Sequence, residues 1–137
     1  MVSVQAEVLL DGPGTAATAL ALTAPISFWG GVDPRSGLIA DPRHPENGQL
    51  IAGKVLFVPE TVGSSSAAAI LLELVHGKHA PAAIVLHEPD AILLLGLIVA
   101  KEMGYETPIA LRLDREGFSA LHGRTLRVSD RGLIEEA

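Results

Sequence analysis

The sequence contains no cysteine, so it can form no disulfide and offers no thiolate to a metal. Aromatic residues make up only 4%, which leaves the core to leucine, isoleucine, valine and alanine. There is no basic block: 10 Lys and Arg stand against 16 Asp and Glu, for a formal net charge of −6 spread along the chain. Nucleic-acid binding depends on clustered cations that neutralise phosphates, so nucleic acid is excluded as a partner. The longest uncharged apolar run, residues 91–100, is about half of the roughly 20 residues a membrane span requires, and no membrane partner is expected. The first ten residues carry neither the basic nor the long apolar stretch of a secretory signal, and a cytoplasmic location is expected.

What the chain does have is apolar surface. Hydrophobic residues make up 48% of 137, with a mean hydropathy of +0.37. That suits a single domain over residues 1–137 with an aliphatic core, and points to surface covered by a partner.

Val2, Val4, Ala6, Val8 and Leu10 alternate with Ser3, Gln5 and Glu7, the period of a half-buried strand. Asp11-Gly12-Pro13-Gly14 reads as a turn, and residues 15–23 as a second strand expected to pair with the first in an antiparallel unit. Residues 26–47, dense in glycine and proline, read as a long loop. Residues 54–58, 82–86 and 108–113 read as buried strands, and 125–128 as the last strand. Between them, residues 67–75 form a helix with a serine cap and a stop at Gly77. Pro89 suits the first turn of a second helix that Gly104 ends, and residues 118–121 suit a short helical turn. The second helix is apolar nearly all round, which predicts burial in the fold or in an interface. The alternation of strand and helix makes the chain an α/β protein.

Gly63-Ser64-Ser65-Ser66 is the sharpest candidate site. A helix N-terminus exposes unpaired N–H groups and the positive end of the helix dipole, which favour an anion. The serine hydroxyls can cap the helix, bind a carboxylate or exchange a proton, and the residues alone leave all three open. Trp29-Gly30-Gly31 is the second candidate, either as a backbone that touches a ligand closely or as a tight turn with the tryptophan packed as a plug. The histidines give little: Gly77 separates His76 from His79, and His76 suits the end of its helix. His44 reads as a solvated loop residue, and Glu88 as a helix cap. Three familiar motifs are missing: the Gly-x-Ser-x-Gly elbow, the phosphate-binding loop and the dinucleotide fingerprint.

Several runs together resemble the aconitase X swivel domain: Ile26-Ser27-Phe28-Trp29-Gly30-Gly31-Val32-Asp33-Pro34, Gly53-Lys54-Val55-Leu56, Gly63-Ser64-Ser65-Ser66, Ala80-Pro81-Ala82-Ala83-Ile84-Val85 and Glu88-Pro89. The resemblance implies the swivelling β/β/α domain of aconitases, here as the small subunit of a hydro-lyase. It implies a large-subunit partner that holds an iron–sulfur cluster or iron, with no cofactor and no metal on this chain, and a heterodimer at least. It implies Ser64, the residue after the glycine, as the catalytic acid/base. Gly63, Ser65 and Ser66 are then assigned to substrate binding, together with Trp29, Gly30 and Gly31. Two activities are implied on a small hydroxy-acid substrate: dehydration of cis-3-hydroxy-L-proline, which the local sequence favours, and dehydration of (R)-5-phosphomevalonate. Glu60-Thr61-Val62 departs from the glycine-rich approach expected before the serines, so the loop is expected to differ in shape. A non-catalytic anion-binding module is the remaining alternative.

Overall fold

The structure, a computed structural model, describes residues 3–137, so the predicted strand position of Val2 lies outside the described residues. The strands are β1 (Ser3–Gln5), β2 (Glu7–Leu10), β3 (Thr15–Ala21), β4 (Val32–Asp33), β5 (Leu38–Ile39), β6 (Val55–Val58), β7 (Ala83–Leu86), β8 (Ile109–Arg112), β9 (Thr125–Val128) and β10 (Leu133–Glu136). The helical segments are an irregular turn α1 (Phe28–Gly31), α2 (Ala67–His76), α3 (Ala91–Glu102) and α4 (Phe118–Leu121).

Eight strands form one sheet in the order β1-β10-β9-β3-β6-β7-β8-β2. β3, β6, β7 and β8 run parallel, and the others pair antiparallel. The ends of that order, β1 and β2, are separated in the chain by Ala6 alone, so the sheet closes on itself.

This closure corrects the expected pairing at the N-terminus. Residues 3–10 do not pair with β3; they split at Ala6, where β1 pairs with β10 and β2 with β8. The physical reason is that both flanks of the sheet need an edge partner, and one bent segment supplies two. A second correction follows, because β9 is not the last strand: β10 turns back beside it, Ile134 opposite Val128. The stretch read as a long loop also carries structure, the small β4–β5 hairpin.

The pleat divides the core in two. Val55, Phe57, Ala83, Val85, Ile109 and Leu111 face inward with Leu126 and Ile134, and Phe57 meets Phe118 at a ring-centroid distance of 5.1 Å. Leu56, Val58, Ile84, Leu86 and Ala110 face outward, where α2 and α3 cover them with Leu71, Leu74, Leu93 and Leu97. Strands buried on both faces read as continuous apolar runs, which is why these were visible in sequence.

α2 and α3 pack closely at Gly96, where an added Cβ would stand 2.4 Å from the carbonyl oxygen of Ala68. α3 buries only one side; Ile92, Leu95, Ile98 and Val99 remain exposed. Its first turn does not start at Pro89, and Glu88 does not cap it. Asp90 is the cap, and its Oδ1 accepts the N–H groups of Ile92 and Leu93 at 3.0 Å each.

Candidate functional site

The four parallel strands end at one edge of the sheet. From that edge leave residues 22–27 after β3, 59–66 after β6, 87–90 after β7 and 113–117 after β8. Parallel α/β sheets bind ligands at this edge, beyond the carboxyl ends of the strands.

Three histidines hold the edge together. The Nδ1 of His122 accepts the N–H of Ala21 at 3.1 Å, and that of His87 accepts the N–H of Arg115 at 3.0 Å. His44 corrects the sequence reading: it is buried, not solvated. Its Nδ1 accepts the N–H of Glu46 at 3.0 Å, so its Nε2 is the donor to the Ala24 carbonyl at 3.2 Å. Glu46 in turn takes the N–H of Thr23 at 2.7 Å and its hydroxyl at 2.9 Å. These bonds fasten the segment after β5 to the strand end that leads into α1. His76 ends α2 as the basic residue of its last turn, as expected, and its Nδ1 also meets the Tyr105 hydroxyl at 2.7 Å.

The serine segment lies where β6 hands over to α2. Gly63 and Ser65 are exposed, and Ser64 and Ser66 half-buried. The expected serine side-chain cap is absent: Ser66 holds the cap position without a side-chain bond. Instead the Ser64 Oγ accepts the Ser66 N–H at 3.2 Å, a local serine turn ahead of the helix. Among the described residues, the N–H groups of Gly63, Ser64 and Ser65 have no protein acceptor. The segment therefore presents free donors beside a hydroxyl at the positive end of α2, an arrangement that receives a carboxylate or steadies an alkoxide.

The Trp29 segment is brought alongside. Ile26 donates to the Glu60 carbonyl at 3.1 Å and accepts from the Val62 N–H at 2.9 Å, and α1 packs on α2. Phe28 is the buried aromatic, whereas Trp29 is 58% exposed, so the plug reading fails. Gly30 has φ +80°, and an added Cβ there would touch nothing within 4 Å, so the glycine serves the turn and leaves open space. Further along, the Arg35 N–H, and then its guanidinium, hold the Asp33 carboxyl below its usual range.

A cleft of about 420 Å³ opens beside Gly63, between Glu60, Thr61, Glu88, Asp90 and Ile92. Three carboxylates and no lysine or arginine line it. Thr61 and Asp90 escaped the sequence reading; Asp90 precedes an apolar helix as caps do, and Thr61 carried no signal. A larger cavity, about 720 Å³ with His76, Lys78 and Tyr105 in its wall, lies at the opposite edge, away from every candidate residue. Among the described residues no three His, Asp or Glu side chains gather to hold a metal, so these residues do not fit an iron site. No helix among the described residues is long and apolar enough to cross a membrane.

Comparison with known proteins addresses the whole chain. Over 86 residues it is 52% identical to a cis-3-hydroxy-L-proline dehydratase of Pseudomonas aeruginosa, a match of 62% of this chain and only 15% of that protein. It is 35% identical over 113 residues to the phosphomevalonate dehydratase small subunit of Methanosarcina mazei, covering 81% of this chain and 75% of that one. In structure it is similar to a chain of Thermococcus kodakaraensis aconitase X, with a TM-score of 0.84 at 26% identity over 100% of this chain and 99% of that one. The swivel-type α/β architecture is thus shared from end to end. The model of the aconitase X swivel domain matches residues 3–135, and the chain belongs to that family.

Proposed function

We propose that this chain, residues 1–137 taken as one swivel domain, is the small subunit of a cytoplasmic dehydratase whose active site it shares with a large subunit. Ser64 is its acid/base, and cis-3-hydroxy-L-proline its substrate. The iron–sulfur cluster or iron belongs on the large subunit, since this chain's residues do not fit one. Gly63, Ser65 and Ser66 receive the substrate carboxylate through N–H and hydroxyl donors, while Trp29, Gly30 and Gly31 close the other side.

The observation that carries the substrate is the charge of the cleft beside the serines. Glu60, Glu88 and Asp90 line it, with no cation among them. A hydroxyproline is a zwitterion: its carboxylate suits the free donors of residues 63–65, and its ring ammonium suits the carboxylates. A phosphomonoester would bring two further negative charges to the same place, and like charges in a confined site repel. The 52% identity to a hydroxyproline dehydratase points the same way. One observation favours phosphomevalonate instead, namely that the chain spans 75% of a small subunit of that name.

The test is turnover by the co-purified two-subunit complex. Dehydration of cis-3-hydroxy-L-proline, with little on (R)-5-phosphomevalonate, supports the reading, and the reverse preference replaces the substrate. No turnover of either, with an anion still bound by the chain, would favour a non-catalytic binding module.

A further inference from the structure

The serine segment has few attachments of its own. Its bonds are local: Ser66 N–H to Ser64 Oγ at 3.2 Å and Ala67 N–H to the Ser64 carbonyl at 3.0 Å. A Cβ added at Gly63 would meet nothing within 4 Å, so no neighbour packs on that side of the chain. The position of Ser64 is therefore set by α2 on one side and by the last residues tied to other elements on the other side.

Those residues are Thr61 and Val62. Thr61 bridges Ile26 as a parallel strand would, and the Val62 N–H goes to the Ile26 carbonyl. The Thr61 side chain adds a tie in a different direction: its hydroxyl donates to Asp90 Oδ2 at 2.7 Å. Asp90 needs only Oδ1 to cap α3, and gives its second oxygen to Thr61. A hydroxyl on a carboxylate is a strong, directional bond. One carboxylate thus starts α3 and holds the approach to the serines, so two elements that line the cleft share one anchor.

We propose that Thr61 and Asp90 are positioning residues, whose hydrogen bond holds Ser64 at the distance from the cleft that proton transfer requires. The proposal rests on the reading of Ser64 as acid/base. Removing the hydroxyl leaves the bridge and the Val62 bond to Ile26 but cuts the tie to α3, so residues 63–66 can shift relative to it. A misplacement of about 1 Å at a reacting group can cost about 100-fold in rate.

The experiment uses the co-purified two-subunit complex with cis-3-hydroxy-L-proline. Thr61→Val keeps the branched shape and removes the hydroxyl, while Thr61→Ser keeps the hydroxyl. Thr61→Val should lower kcat by about 10- to 100-fold with KM little changed. It should also speed amide hydrogen exchange at Val62 and Ser66, the two residues of the segment whose N–H groups are bonded, while leaving α3 protected, and Thr61→Ser should restore most of both. Wild-type kcat in Thr61→Val overturns the proposal, as does a loss that Thr61→Ser shares equally. Unchanged exchange overturns it whatever the rate does. Ser64→Ala in the same assay separates the two claims: if that complex keeps its kcat, the acid/base reading falls, and the exchange measurement alone then decides whether Thr61 and Asp90 hold the loop.

Discussion

Phe28 and Trp29 are neighbours in sequence that face opposite ways: Phe28 is 1% exposed and packs in the core under α2, while Trp29 is 58% exposed. Phe28→Ala should cost about 3–5 kcal/mol, because a buried ring leaves both lost contacts and a cavity. Trp29→Ala should leave the melting temperature of the isolated chain nearly unchanged. If Trp29 faces the large subunit and its substrate, the same change should weaken the complex by about tenfold or more, as central aromatic anchors do. Thermal unfolding and titration calorimetry of the two variants separate these effects.

Ser64→Ala should abolish most turnover, since general acid–base help contributes about 10²–10⁴-fold. Folding should be little affected, because Ser64 makes one local bond, to the Ser66 N–H, whose loss costs about 1 kcal/mol. Ser65→Ala and Ser66→Ala should mainly raise KM. Steady-state kinetics of the three complexes checks the assignment. A normal kcat in Ser64→Ala with a loss in one of the others would move the role along the loop.

Gly96→Ala tests the helix pair. The added methyl would stand 2.4 Å from the Ala68 carbonyl oxygen, so α2 and α3 must move apart. Overpacking of this kind costs about 1–3 kcal/mol, even though alanine favours a helix over glycine by about 1 kcal/mol. Urea unfolding should show a lower midpoint with an unchanged slope.

Leu95→Glu tests the outer face of α3, where Leu95 is 49% exposed beside Ile92, Ile98 and Val99. A contiguous apolar face of this kind marks a surface that another protein covers. The variant should fold with wild-type stability and fail to co-elute with the large subunit on size exclusion. Co-elution at micromolar concentration would place the interface elsewhere.

Much of this architecture is legible in sequence where the signal is local. The core strands are continuous apolar runs, and α2 follows from good helix formers bounded by Ser66 and Gly77. The pairing of residues 3–10 is not legible, because period two shows an extended segment but not its partner, here Leu133 for Gln5 and Arg112 for Glu7. β10 escapes because two of its four residues, the half-buried Glu135 and Glu136, are charged and dilute its apolar pattern. His44 misleads for a similar reason, since its loop is polar and its burial comes from Ala24 and Glu46, contacts that only the fold creates. The serine segment announces itself as glycine followed by hydroxyls at a helix start. The tie from Thr61 to Asp90 spans 29 positions and leaves no trace in either neighbourhood.

The single residue Ala6 joins the two flanks of the sheet, and this fixes an order of events during synthesis. Residues 3–10 leave the ribosome well before their partners, so β2 must wait for residues 109–112 and β1 for residues 133–135. Contacts that distant form late, after their loop-closure cost is met. Until then β3, β6 and β7 stand with open flanks, and open strand edges recruit other chains. The half-made domain is therefore most prone to aggregate until residues 133–135 emerge, and prompt closure at Ala6 ends that exposure.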